Sequence, residues 1–269
     1  MHVVCAGDCG IDRYRALDHS RAGGITLNFA AHARRLFDPG DRVSIISALG
    51  TDANVSIVSR TLEELGVETL IRTIPGTTST QLIDLAPDGE KLFVGYDQGV
   101  LGVHRIGDPE RALIAGADLL VAAHYRQIDG FFESVMSADS SGLRAVDFAD
   151  IAESPTAANV ERFIDRFDIA FAGLSPSHSA LIDNLEALAR RSEKSIIVTL
   201  GASGSLALGP RPRLHCAAAP VSRVVDTTGA GDTFAAGFLR EFCRGRNLKA
   251  SLSAGAREAA VTVSRLGAF

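Results

Sequence analysis

The chain has 269 residues, 46% of them hydrophobic and 22% charged, with a formal net charge of −5. That is enough apolar material for one large α/β domain, with or without a small appendage. The acidic balance provides no basic stripe for a nucleic-acid partner, and no segment approaches the ~20 apolar residues that span a bilayer.

Four cysteines, Cys5, Cys9, Cys216 and Cys243, form no Cys-x-x-Cys pair. This spacing argues against a zinc site or disulfide framework and for a reducing cytoplasm. Met1–Gly7 lacks a basic region followed by a long apolar run, so it reads as a short buried strand rather than a signal peptide.

In chain order, Val3–Gly7 reads as the first strand, followed by a helix near 26–37, a strand over Val43–Leu49 and a helix near 54–65. Two pieces interrupt this rhythm. Ile11–Leu17 is strand-like, and 77–97 carries two strand-type runs around Pro87-Asp88-Gly89, a turn signal. We read 77–97 as a hairpin outside the main sheet, joining Ile11–Leu17 in a small β-lid. Further on, Asp118–Ala123, Gly142–Asp147, Asp168–Ala172 and Ser195–Thr199 are continuous apolar runs. Helical stretches lie near 127–138, 156–165 and 177–191. Unbroken apolar strands alternating with helices predict a mostly parallel sheet covered on both faces. Val224-Val225 is read as the end of a strand, and two helices, near 231–244 and 248–265, close the chain.

The most informative segment is Asp226-Thr-Thr-Gly229-Ala230-Gly231-Asp232. A Gly-rich turn at a helix start presents unpaired N–H groups and the positive end of the helix dipole, a ready anion site. A carboxylate in the same turn can take a proton from a substrate hydroxyl. Base and anion hole then share one turn, which suits phosphoryl transfer. Asp at a helix start is often only a cap; the full seven-residue pattern favours the chemical reading.

Three weaker constellations accompany it. Thr199-Leu-Gly201-Ala-Ser-Gly204 follows a strand, where glycines admit a ligand or simply turn the chain. Gly23-Gly24 lies ahead of Asn28 at a helix start, which suits a sugar hydroxyl, a lid hinge or a cap. Asp8 and Asp12 follow the first strand, where either carboxylate can bind two adjacent sugar hydroxyls. Lysines number only three, Lys91, Lys194 and Lys249, none in a motif. A lysine-centred phosphate clamp is therefore not expected, and no P-loop or protein-kinase signature is present.

Segment 226–238 resembles the C-terminal signature of the ribokinase-like (PfkB) carbohydrate kinases, and the likeness extends from Val3 to Gly267-Ala-Phe269. The resemblance implies a three-layer αβα sandwich with a mostly parallel central sheet and a small β-sheet lid. It implies one kinase domain over 1–269, with lid segments about 11–22 and 77–100. By the same resemblance, Asp232 is the catalytic base and Gly229, Ala230 and Gly231 form the anion hole. Thr199, Gly201, Gly204, Asp226 and Thr228 fall on the nucleotide side, Asp226 among the metal and cation surroundings. Asp12, Gly23, Gly24 and Asn28 fall on the sugar side. ATP and Mg²⁺ are implied, with a monovalent cation such as K⁺ left open.

One family feature is missing. Many members carry Asn-x-x-Glu where this chain reads Gly173-Leu-Ser-Pro-Ser-His178-Ser, so no metal ligand is assigned. Within the family the chain looks most like the fructoselysine 6-kinase branch, on Gly95-Tyr96-x-x-Gly99, Ala145–Asp150 and the Gly-Ala-aromatic close. A fructosamine carries an amino-acid end, and Arg13, Asp97 and Arg126 are the charges expected near it. The alternatives are a fructokinase, ribokinase or nucleoside kinase of the same family, and a non-catalytic sugar- or nucleotide-binding regulator. The expected partners are the sugar and ATP, with no nucleic acid and no membrane, and the expected assembly is a homodimer through the lid.

Overall fold

The computed structural model describes residues 1–15, 19–85, 91–150 and 156–269. It divides into two compact units, 1–34 with 39–142 and 35–38 with 143–269.

In chain order the first unit runs β1 (His2–Ala6), β2 (Gly10–Tyr14), β3 (His19–Gly23), α1 (Ile25–Leu36), β4 (Arg42–Leu49), α2 (Val55–Leu65) and β5 (Glu68–Thr73). It continues with β6 (Thr80–Leu85), β7 (Lys91–Asp97), α3 (Asp108–Ala115), β8 (Leu119–Ala123) and α4 (Asp129–Met136). Strands β8, β1, β4 and β5 lie side by side in that order, all parallel. Val3, Val4 and Cys5 on β1 and Leu119 and Leu120 on β8 are fully buried. Strands buried on both faces need helices above and below, which explains their unbroken apolar runs.

The lid is a separate sheet of order β3-β2-β6-β7. β6 and β7 pair antiparallel as the expected hairpin, and β2 joins β6 in parallel. The strand expected over Ile11–Leu17 is Gly10–Tyr14; residues 16–18 and the Pro87-Asp88-Gly89 turn lie outside the described residues. Strand β3, which completes this sheet against β2, carried no strong β pattern in the sequence.

The second unit runs β9 (Leu143–Asp150), α5 (Thr156–Arg162), β10 (Ile169–Gly173), α6 (Ser179–Ser192), β11 (Ser195–Thr199), β12 (Ser205–Leu208), β13 (Leu214–Cys216), α7 (Ala230–Gly245) and α8 (Leu248–Val263). Its strands order as β13-β12-β11-β10-β9. β9, β10 and β11 are parallel, and β12 and β13 return antiparallel. One expectation fails: Val224-Val225 ends no strand. Both side chains are exposed, and the Val225 amide donates instead to the Val263 carbonyl at the end of α8. Two adjacent valines carry β propensity, but propensity yields where no neighbouring strand is available to pair.

Candidate active site

Helix α7 fixes the central motif. Phe234, Phe238 and Phe242 recur every four residues, so they share one face. Phe238 is fully buried, stacks on Phe234 and Phe242, and meets Phe171 of β10 edge-on with ring centroids 5.4 Å apart. Burying one such ring contributes about 1.5–3 kcal/mol. The apolar face therefore pins the helix to the sheet and so places its first turn.

That turn is built by backbone geometry. Gly229 precedes the helix at φ 73°, ψ 3°, in the left-handed region. A Cβ at Gly229 would lie 2.8 Å from the Ala268 carbonyl oxygen, so both torsion and space call for glycine. Gly231 is different: nothing lies within 4 Å of where its Cβ would be. Its amide has no acceptor among the described residues, as expected in a first helical turn. Gly231 is also exposed, so its amide is open to solvent at the start of the helix. Asp232 stands one residue on and is buried, with 8% of the residue exposed. Thr233 closes the turn, its amide and its hydroxyl both donating to the Gly229 carbonyl, at 2.9 and 2.8 Å.

Asp226 is buried and serves as a strut. Its Oδ1 accepts from the Thr228 amide at 2.9 Å and the Thr228 hydroxyl at 2.7 Å, and its Oδ2 accepts from the Gly267 amide at 3.0 Å. This local loop is the turn Asp forms when it bonds the backbone two residues on. Thr199 ends β11, and its carbonyl accepts from the Leu174 amide at 3.0 Å. Gly201 opens a short 3₁₀ turn, Gly201–Ser203. Gly204 lies against the Cys216 carbonyl and Ala217, where no Cβ fits.

In the first unit Gly23 and Gly24 lie against two carboxylates, those of Asp12 and Asp8. Asp8 is buried at the N-terminus of α1. Its Oδ2 accepts from the Ile25 amide at 3.0 Å and its Oδ1 from the Thr26 amide at 3.1 Å. It therefore caps α1 from outside the helix, satisfying two otherwise unpaired donors. Burial pushes the Asp8 carboxyl above the ordinary carboxylate range, against the pull of those amides and of hydrogen bonds from Thr26 and Tyr125. Gly24 sits at φ 111°, where a Cβ would lie 2.7 Å from Asp8 Oδ2. Asp12, half-buried on β2, lies across Gly23, whose missing side chain leaves the space that the Asp12 carboxylate fills. The Gly-Gly pair thus makes room for two aspartates, one per glycine. Asn28 is buried in the first turn of α1, its amide bonded to the Gly24 carbonyl at 2.9 Å.

The sequence reading did not anticipate a tyrosine pair beside Asp8. Tyr96 of β7 and Tyr125, just past β8, meet edge to face, and their hydroxyls hydrogen-bond at 2.6 Å. Tyr125 also hydrogen-bonds Asp8. Burial pushes both phenols well above their ordinary value, with the Asp8 charge adding to it. A polar chain therefore runs from the lid hairpin through Asp8 to the α1 amides. Its members are 29 and 117 residues from one another in sequence, so no local pattern announces it. Arg13, Asp97 and Arg126 are exposed.

These features define a mostly parallel α/β protein with a β-sheet lid and a glycine-led helix turn that carries a buried carboxylate. Comparison with known proteins gives the class a name. The pattern described as pfkB family carbohydrate kinase matches residues 155–269. The fructoselysine 6-kinase of Shigella flexneri is 30% identical over 268 residues, which cover 99% of this chain and 99% of that protein. Fructosamine kinase FrlD of Bacillus subtilis is 27% identical over 275 residues, covering 100% of this chain and 93% of that one. A probable sugar kinase from Rhizobium etli superposes with a TM-score of 0.82 at 21% identity, over 99% of this chain and 94% of that one. The chain belongs to the PfkB family of carbohydrate kinases and has the ribokinase-like αβα fold. It is an ATP-dependent sugar kinase.

Proposed function

We propose that this kinase phosphorylates a fructosamine, fructoselysine being the first substrate to test, on a primary hydroxyl. The observation that carries the chemistry is the 229–232 turn, where the buried Asp232 carboxylate adjoins the exposed, unbonded Gly231 amide at a helix start. The full-length likeness to fructoselysine and fructosamine kinases supports the substrate class.

In this reading Asp232 accepts the proton of the sugar hydroxyl as that oxygen forms its bond to the γ-phosphorus. The bond from phosphorus to the β,γ-bridging oxygen breaks, and ADP leaves with the electron pair. The amides of Gly229 and Gly231 hold the charge on the equatorial oxygens, joined by that of Ala230 if it leaves the Thr227 carbonyl to which it donates at 3.2 Å. Thr199, Gly201, Gly204 and Thr228 contact the nucleotide, and Asp226 orients Thr228. Asp12, Gly23, Gly24 and Asn28 serve the sugar, Asp12 as the hydroxyl acceptor and Gly23 by leaving it room. Arg13, Asp97 and Arg126 face the amino-acid end.

Among the described residues no group of three His, Cys, Asp or Glu gathers to hold a metal. Mg²⁺ is usually held largely by substrate phosphates and water, and in this reading it has no all-protein cage. No site is assigned to a monovalent cation. The domain is taken as 1–269 with its lid. A cytoplasmic location agrees with the four free thiols, and among the described residues no helix is long and apolar enough to cross a membrane. A homodimer through the lid is proposed because β7, the edge strand of that sheet, exposes Leu92, Phe93 and Val94 in succession.

An ATP-consumption screen over fructoselysine, fructose, ribose and adenosine tests the substrate. Fructoselysine is expected to give the highest kcat/KM. Preference for ribose or adenosine would replace the fructosamine reading, and tight binding without turnover of any of them would make the protein a regulator.

A further inference from the structure

The residues after α8 touch the 226–233 turn at two points. The Gly267 amide donates to Asp226 Oδ2 at 3.0 Å, while Oδ1 of the same carboxylate holds Thr228. Ala268 lies directly against Gly229: a Cβ there would stand 2.8 to 2.9 Å from the Ala268 oxygen, Cα and Cβ. Just before this segment, the Val263 carbonyl accepts from the Val225 and Asp226 amides at 2.7 and 3.3 Å. The Thr262 hydroxyl meets the Thr233 hydroxyl at 2.9 Å. Every one of these contacts lies within the second unit.

Thr262 and Val263 belong to a packed helix and explain themselves as structure. Gly267 and Ala268 do not. They lie beyond the helix, Gly267 in the left-handed region at φ 93°, yet they reach the two places that set where the 229–231 amides point. One is the carboxylate that ties Asp226 to Thr228; the other is the left-handed glycine itself. An amide hole stabilises a developing charge only if its donors already aim at it, and a displacement of about 1 Å can cost on the order of 10²-fold in rate.

We propose that Gly267 and Ala268 are positioning residues for phosphoryl transfer, acting through Asp226 and Gly229 to hold the anion-binding amides in their productive direction. This rests on the reading of 226–232 as the phosphoryl-transfer turn. Neither residue touches substrate in this account. Their loss is therefore expected to lower kcat and spare sugar affinity, whereas a merely structural role would lower the amount of folded protein and leave kcat per folded molecule alone.

The test is a cycle of Gly267→Pro, which removes the donating N–H and the left-handed torsion together, Asp226→Asn, which leaves one acceptor oxygen for donors that two now hold, and the double variant. Leu266→Ala, at an exposed side chain in the same segment, is the control. Each single variant is expected to lower kcat about tenfold or more with sugar KM within about twofold. The double variant should be no worse than the worse single, because both act on one element. Leu266→Ala should match the parent. Hydrogen exchange of amides 227–233 should quicken in both singles, with exchange in β9–β11 unchanged. Parent-like kcat in both singles, effects that multiply in the double, or unchanged exchange at 227–233 would overturn the proposal. Should Gly267→Pro fail to fold, Gly267→Ala, which strains the same left-handed torsion, decides by the same readings. If the parent turns over no sugar, the kinase reading of the turn has failed, and the exchange measurement still decides whether Gly267 holds it.

Discussion

A carboxylate in the first turn of a helix is ordinarily a cap, yet Asp232 is nine-tenths buried beside a glycine whose side-chain space is empty. Asp232→Asn keeps the volume and removes the proton acceptor. Turnover is expected to fall about 10²- to 10⁴-fold with sugar KM within about twofold, read by steady-state kinetics. Parent-like turnover would remove Asp232 from the role of base. Asp8 and Asp12 illustrate the opposite problem. Four residues apart after the same strand, they look interchangeable in sequence. Only the folded chain separates them, because the α1 amides converge on Asp8 while Asp12 projects from a lid strand onto Gly23. Gly24→Ala would force a Cβ against Asp8 at a torsion that alanine resists. We expect a loss of about 1–3 kcal/mol, measured by urea unfolding; an unchanged midpoint would mean that Asp8 can move away without cost.

Among the elements, α7 was the most legible and α3 the least. The four-residue recurrence of phenylalanine in 234–242 announces a helix with a single apolar face, and that face settles on Phe171. Phe238→Ala removes the centre of this stack and is expected to destabilise the protein by about 3–5 kcal/mol, visible in thermal or chemical unfolding. α3 and its neighbour β5 escaped the sequence reading because each is short and polar. On α3 only Ile114 and Glu110 are fully buried, so an ion pair stands beside a single apolar anchor. Glu110 is fully buried on α3, where it accepts from the Gly107 amide at 3.0 Å and from Arg72 of β5 at 2.6 Å. Burial opposes its charge, but the Arg72 guanidinium and the nearby amides prevail and hold the carboxyl below its ordinary value. A depressed carboxyl contributes stability above the unfolded-state pKa, about 4.3, and loses it as pH falls through the lower folded value. The parent should therefore exceed Glu110→Gln by about 1–3 kcal/mol at neutral pH, and the gap should close below about pH 4. A gap that stays constant with pH would show that the pair is not ionic. Strands β12 and β13 were missed for a related reason: an antiparallel return of three or four residues leaves too little pattern to read.

At the scale of the whole molecule, the lid presents its edge strand β7 with Phe93 66% exposed. A long apolar edge invites pairing, and the proposed homodimer uses it. Phe93→Glu is expected to shift the protein to monomer in sedimentation velocity, and a variant that sediments as the parent does would place any dimer elsewhere. By itself the sequence determined the reaction class and the layered α/β plan. The plan rests on short-range order, apolar runs of strand length and helical periodicity, and the reaction class on seven consecutive residues whose resemblance to a kinase signature is legible without any distant contact. Only the tertiary structure decided which aspartate caps α1 and which glycine makes room for which carboxylate. It alone showed that Tyr125 joins Asp8 to the lid and that Gly267 and Ala268 brace a turn some forty residues earlier. Those facts are contacts between segments far apart in the chain. They exist only once burial has brought the segments together, because a hydrogen bond or a missing Cβ acts over a few ångströms of space and leaves no periodic trace along the sequence.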